Sequence, residues 1–231
     1  MSFDVIVFGA GGFGRETLDV IEASNRSATG HSGKIRVIGV ADDSPTPESF
    51  EHMIARGYRY LGTTSDILDR LEPHSYVIGI GDPGIKSLID QRLTKRGWRA
   101  VTLIHPSASV GSVNEIGDGS IICGGVQLST NTVLGKHVHL NPNATIGHDA
   151  LIKDYVSVNP GAVVSGEVVV EPRALLGAGS VVLQGLSIGR NVTVGAGACV
   201  VSNVGAELTV VGIPARELQS SEPDNRKIEK C

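Results

Sequence analysis

Large side chains are scarce in this chain. Four Phe, four Tyr and one Trp make up 4% of its 231 residues, and there are only two Met. A core without rings must be filled by many small branched aliphatics, and with 30 glycines alongside them this points to a repetitive β architecture. Cysteine is also rare. Cys123, Cys199 and Cys231 form no Cys-x-x-Cys pair and leave an odd count, which argues against a disulfide framework or structural zinc and fits a reducing cytoplasm. No sign of charge dominates: the net charge is −4, so a nucleic-acid or membrane-surface binder is not expected. Long apolar runs are missing too. Val5-Ile6-Val7-Phe8, near the start, is far too short for a signal-peptide core or a membrane span.

What the chain does have is a period. From Ile104 to Val200 every sixth residue is Ile, Leu or Val, seventeen positions in phase, including Ile122, Leu140, Ile146, Val158, Leu176 and Val194. Gly often follows the anchor, as at Gly147 and Gly177, and four residues after the anchor the side chain is small or β-branched, as at Ala144, Ala162, Ser180 and Val192. Period six fits neither a 3.6-residue helix nor an isolated strand. It fits a triangular solenoid in which the large aliphatic points inward, the small residue fills the tight inner site, and glycine or asparagine permits the bend. Three hexads close a coil of eighteen residues. Coils stacked at about 4.8 Å give a prism roughly 27 Å long. The same spacing stacks Cys123, Asn141 and Asn159 at equivalent corners, so a side-chain amide ladder is expected there, with a structural or a binding role.

Before the repeat lies a different grammar. Phe3 to Phe8 reads as a buried strand, Gly9-Ala10-Gly11-Gly12-Phe13-Gly14 as a turn, and Arg15 to Ala23 as a helix with Thr17-Leu18 and Val20-Ile21 on its inner face. Ile35 to Ala41 and Tyr76 to Ile80 read as further strands, and Pro47 to Gly57, Ser65 to Leu71 and Pro83 to Arg96 as helices. This alternation implies a small parallel sheet with right-handed crossovers. The Gly9, Gly11, Gly14 spacing is a dinucleotide fingerprint in a strand-turn-helix setting, and Asp42 stands where a ribose-binding carboxylate would. The loop offers helix N-terminal amides to a phosphate. Three uses stay open: gripping the diphosphate of a nucleotide-linked substrate, a redox nicotinamide site, or no ligand. The absence of a second domain for hydride chemistry favours the first.

The seven histidines are candidates for proton transfer. His31, His52 and His74 have polar neighbours and read as solvated, His105 precedes a proline, and His137 and His139 suit an exterior face of the prism. His148 differs. It follows Gly147 at a corner and precedes Asp149, a carboxylate able to raise its basicity and hold its tautomer. On residues alone this pair is either a general base or surface decoration.

The segment Asn141-Pro142-Asn143-Ala144-Thr145-Ile146-Gly147-His148-Asp149, with Pro160-Gly161-Ala162 and Ser165-Gly166, resembles the active-site coil of the hexapeptide-repeat sugar acetyltransferases. The subfamily in question holds the sialic-acid O-acetyltransferases and the UDP-4-amino-sugar N-acetyltransferases. The resemblance runs from Phe8-Gly9-Ala10-Gly11-Gly12 to Val211-Gly212-Ile213-Pro214-Ala215-Arg216. It implies an α/β Rossmann-like domain over residues 1–103, an all-β left-handed parallel β-helix over 104–216, and a charged, disordered tail over 217–231. It also implies a cytoplasmic homotrimer that uses acetyl-CoA as co-substrate, without a metal, to acetylate the amino group of a nucleotide-linked amino-deoxy sugar. His148 would be the base, supported by Asp149, with Asn141 beside the acceptor. Backbone groups around Ser157, Gly166, Ala178 and Ala196 would line the coenzyme slot between subunits, with an amide near Ser157 stabilising the oxyanion. Gly12, Phe13, Gly14, Asp42, Asp43 and Gly81 would meet the nucleotide part of the acceptor. Many relatives carry histidine where Phe13 stands, and one carries it at Ser157, which leaves the acceptor open. Three other readings remain: O-acetylation of sialic acid or another sugar hydroxyl, a non-catalytic nucleotide-sugar-binding module, and a zinc carbonic anhydrase, for which His137, His139 and His148 have the wrong spacing.

Overall fold

The computed structural model describes residues 3–28 and 34–218. The front of the chain folds as β1 (Phe3–Phe8), α1 (Gly12–Ser27), β2 (Ile35–Ala41), α2 (Pro47–Ala55), β3 (Tyr60–Gly62), α3 (Thr64–Arg70), β4 (Ser75–Ile78), α4 (Pro83–Thr94) and β5 (Arg99–Ala100). Its five strands form a parallel sheet of order β3-β2-β1-β4-β5. β3 and β5 escape the sequence pattern because each is a two- or three-residue edge with no alternation to read. Gly14 is needed where α1 crosses the sheet: a Cβ there would overlap the carbonyl of Gly9.

From Leu103–Ile104 onward the chain is the left-handed, three-sided parallel β-helix that the hexads specify. Strands pair eighteen residues apart, as in Gln127↔Thr145, Val133↔Leu151 and His139↔Ser157. Every anchor is the second residue of its strand, and all fourteen from Ile122 to Val200 are buried. The first coil differs, because no coil lies beneath it: Ile104 and Val110 are 41% and 39% exposed. At the other end the beat breaks. Val204 bridges to Ile188, sixteen residues back, and Arg216–Glu217 returns antiparallel against Thr209–Val211. The expected tail therefore starts as a strand, and its remainder, residues 219–231, lies outside the described residues, as do His31 and Cys231.

The expected division of labour at the corners needs correction. The bend falls three residues after each anchor, where φ is positive at Asn131 and Asn143, but also at Tyr155 (62°) and Arg173 (60°), residues that gain nothing from this conformation. Each such residue costs about 1–2 kcal/mol, and the buried side chains on either side hold it there. The glycines directly after the anchors serve close approach instead. A Cβ on Gly177 would sit 2.5 Å from the amide nitrogen of Ala196 in the next coil.

The front domain docks on the face of the prism that carries His139 and Ser157. His137 and His139 are thus buried, contrary to the expectation of a solvent-facing surface. The His137 ring stacks between Tyr76 and Tyr155, at 5.9 and 5.7 Å, and its Nε2 donates to Asp90 at 2.9 Å. Asp90 also accepts from the hydroxyls of Tyr155 and Tyr76. Burial alone would raise its pKa, but hydrogen bonds from His137, Tyr155 and Tyr76 prevail and hold it well below the usual carboxylate range.

Position within the repeat, rather than residue type, should set stability. Leu176→Ala, deep in the stack, is expected to cost about 2–5 kcal/mol in urea unfolding, and Ile104→Ala, at the open end, less than about 1 kcal/mol.

Candidate active site

Two separate places carry the expected site residues. The first is a cavity of about 390 Å³ in the front domain, lined by Gly12, Phe13, Asp42, Asp43 and Gly81 together with Gly9, Gly11, Ser44 and Thr64. Gly14 lies beneath it, packed against Gly9. The electrostatics come from one helix end. Thr46, Thr63 and Asp82 cap α2, α3 and α4 with their side chains, whereas Gly11 at the start of α1 offers none. The first amides of α1 are left facing the cavity, an arrangement suited to a phosphate. Asp42 is more committed than expected. Its Oδ2 accepts the Ala10 amide at 2.7 Å and its Oδ1 the Ser44 amide at 2.8 Å, so it shapes the turn that builds the cavity. Asp43 accepts the Thr64 amide through Oδ1, and its Oδ2 lies 3.9 Å from Arg92.

The second place is the corner bearing His148. Its Nδ1–H donates to Asp149 Oδ2 at 2.7 Å, and the other carboxylate oxygen accepts from the Asn131 side-chain amide at 3.2 Å. Asn131 stands eighteen residues before Asp149, one coil away, and was not among the expected site residues; the stacking rule that pairs Asn141 with Asn159 would have found it. Both oxygens of Asp149 being engaged, the imidazole is held with Nδ1 protonated and Nε2 as its free base, while half of its side chain remains exposed. Hydrogen bonds from His148, then Asn131, hold the Asp149 carboxyl below its ordinary range. Gly166 lies one coil on from His148, and a Cβ there would meet the imidazole at 2.6 Å.

Ala178 and Ala196, both exposed and eighteen residues apart, stand at a different corner of the prism, two residues after the anchors Leu176 and Val194. Among the described residues, the amides of Gly166, Ala178 and Ala196 donate to no protein acceptor. Open amides thus lie at two corners of the prism, beside His148 at Gly166 and at the neighbouring corner at Ala178 and Ala196. Ser157 is different. It is wholly buried at the seam, its amide donates to the Ala174 carbonyl at 3.0 Å, and its hydroxyl to the Gly81 carbonyl at 2.7 Å. The expectation that Ser157 lines a coenzyme slot and that its amide serves an oxyanion is therefore corrected: both groups are spent inside the protein. Asn141 is nearly buried and donates to Asn159 at 3.1 Å, so the expected amide ladder forms.

Other candidates fall away on geometry. Burial pushes the Cys123 thiol up to about 12, which removes it as a nucleophile at neutral pH. Among the described residues no three His, Cys, Asp or Glu side chains converge as a metal site, and His137 and His139 are sealed under the front domain away from His148. Among them, too, no helix is long and apolar enough to cross a membrane.

The coupling within the corner is measurable. In a carboxyl NMR titration Asp149 should protonate below the ordinary Asp range, because its charged form is the hydrogen-bonded one. The midpoint should rise in His148→Ala and by a smaller amount in Asn131→Ala; an unchanged midpoint in His148→Ala would refute the pairing.

Comparison with known proteins agrees with both halves. Residues 4–93 match the PglD N-terminal domain, residues 131–166 the bacterial transferase hexapeptide, and residues 167–202 the hexapeptide repeat of succinyl-transferase. The GDP-perosamine N-acetyltransferase of Escherichia coli is 32% identical over 149 residues, spanning 64% of this chain and 64% of that relative. The acetyltransferase domain of PglB from Neisseria gonorrhoeae, solved with acetyl coenzyme A, is 27% identical, with a TM-score of 0.78 over 94% of this chain and all of that one. The perosamine N-acetyltransferase of Caulobacter crescentus, solved with CoA and GDP-perosamine, shares the fold at 24% identity, with a TM-score of 0.80 over 93% of this chain and 96% of that one. The chain thus joins a front half similar to the PglD N-terminal domain, over residues 4–93, to a back half similar to hexapeptide-repeat transferases, over residues 131–202.

Proposed function

We propose that this protein is an acetyl-CoA-dependent N-acetyltransferase whose acceptor is the amino group of a nucleotide-linked amino-deoxy sugar. The relative from Escherichia coli names GDP as the nucleotide to test first. The observation that carries the reading is the Asn131–Asp149–His148 chain, which ends in an exposed Nε2 beside the open amide of Gly166. The uncapped N-terminus of α1, facing a cavity of about 390 Å³, is its complement for the acceptor's diphosphate.

In this mechanism His148 Nε2 takes a proton from the acceptor amine as the nitrogen attacks the acetyl carbonyl, and Asp149 stabilises the imidazolium that forms. The thioester supplies the acetyl group and a thiolate leaving group. As the carbonyl oxygen gains charge it needs a donor, and the unspent amide of Gly166, directly beneath the imidazole, is the nearest candidate now that Ser157 is excluded. Collapse of the tetrahedral adduct breaks the carbon–sulfur bond, and the proton held by His148 passes to the departing sulfur. Ala178 and Ala196, small and with open amides at another corner, would meet the coenzyme arm from a neighbouring prism.

The acceptor cavity is walled by Phe13, which stacks on His139, whereas His148 lies at the next corner of the coil. One hexad of extended chain separates those corners, up to roughly 20 Å. Assembly into a cyclic trimer would close that gap, with the cavity of one protomer offered to His148 of another across a groove between prisms.

His148→Ala should lower turnover by roughly 10²–10⁴ while leaving acetyl-CoA affinity within about twofold, as measured by thiol release against GDP- and UDP-linked amino sugars and by calorimetry. Near wild-type turnover would refute the assignment of the base. Sedimentation at assay concentration should give three times the chain mass, and a monomer would refute the shared site.

A further inference from the structure

Five groups from two domains meet behind the wall of the acceptor cavity. His139 and Ser157 are register partners on adjacent coils, side by side on the covered face of the prism. Each touches one lip of the cavity. The Phe13 ring lies 4.7 Å from the His139 ring, and the Ser157 hydroxyl is 2.7 Å from the Gly81 carbonyl. The fifth group is Lys86, on α4. Its side chain is wholly buried, with Nζ 3.0 Å from Ser157 Oγ and 3.3 Å from the Val156 carbonyl. Among the described residues no carboxylate lies within ion-pair distance of it, and Asp82 acts on it only at longer range. Burial pushes its pKa well below the ordinary lysine value.

The directions of these bonds are fixed. A carbonyl can only accept, so the single proton of Ser157 goes to Gly81, and Lys86 must then be the donor to Ser157. Lys86 thereby aims the hydroxyl, and the hydroxyl holds the Gly81–Asp82 peptide with its carbonyl turned onto the prism. A trans peptide carries its N–H on the opposite edge. The Asp82 amide, which has no acceptor among the described residues, is thus turned away from the prism at the cavity lip.

We propose that Lys86 and Ser157 are positioning residues for the acceptor, holding the Gly81–Asp82 peptide so that its N–H serves as a fixed donor to a phosphate or sugar oxygen. The inference rests on the reading of this cavity as the nucleotide-sugar site and assigns Ser157 to the acceptor side of the reaction. Because Ser157 belongs to the prism and Lys86 to α4 of the front domain, the seam between them sets the geometry of the front cavity.

A purely structural role makes a different prediction from a positioning one. Lys86→Met orphans nothing, since the Val156 carbonyl keeps its bond from the His139 amide at 2.9 Å and Ser157 keeps Gly81. It removes a buried amine, so the unfolding midpoint should rise. The hydroxyl, however, loses its aim. Calorimetry on the full chain, with GDP and UDP as probes and acetyl-CoA as control, tests the proposal. Ser157→Ala is expected to weaken binding of whichever nucleotide the wild type binds by about tenfold, the worth of one ordered hydrogen bond. Lys86→Met should weaken it by about threefold while raising the unfolding midpoint, and acetyl-CoA affinity should be unchanged in both. Nucleotide affinity equal to wild type in Ser157→Ala, or nucleotide and acetyl-CoA affinity falling together with a lowered unfolding midpoint, would overturn the positioning role alone. A wild type that binds neither nucleotide would overturn the reading of the cavity and the inference with it.

Discussion

The structure depends on coils repeating at eighteen residues, because that register lets inward aliphatics stack on one another while the backbone ladders run unbroken. Ile122, Leu140, Val158, Leu176 and Val194 form one such column, each fully or almost fully removed from solvent. Dispersion and burial along these columns outweigh the backbone cost at corners such as Tyr155 and Arg173, where positive φ is imposed on residues that disfavour it. His148 and Asp149, two and three residues after the anchor Ile146, face outward at their corner, so a coil can carry them without touching the core, although Asp149 takes the positive φ of the bend (58°).

Stacking then turns a sequence interval into a chemical relation. Asn131 reaches Asp149, Gly166 lies under His148, and Asn141 reaches Asn159, each pair eighteen residues apart. A catalytic corner in this architecture is therefore built from two or three coils, with the outer members tuning the charge and tautomer of the middle one. The depressed pKa of Asp149 is the physical trace of that arrangement.

The seam between the domains follows other rules. Polar groups that would meet water on a bare prism are enclosed, and most of the enclosed ones are paired: Asp90 with His137, Tyr76 and Tyr155, and Lys86 with Ser157. Breaking such a pair strands a buried polar group, so the seam is held more by the cost of separation than by net attraction. It also fixes the front cavity relative to the prism. The front domain in turn leaves α1 as the one uncapped helix among those described, and uses Asp42 to brace the turn before it.

The sequence by itself determined the prism. The hexad anchors, the small inner residues and the glycines after the anchors are local, strictly periodic constraints, and one solenoid satisfies them all. It also determined the strand-turn-helix of the fingerprint, since Gly9, Gly11 and Gly14 answer to backbone geometry within a single turn. Through resemblance it singled out His148 and Asp149. Only the tertiary structure decided what the covered face does. His137, His139 and Ser157 have the same outward register as solvent-facing residues, and nothing local distinguishes them until the front domain lands on that face. Likewise Lys86 and Asp90 read as ordinary polar helix positions, because burial and pairing are properties of contacts 47 to 71 residues away along the chain.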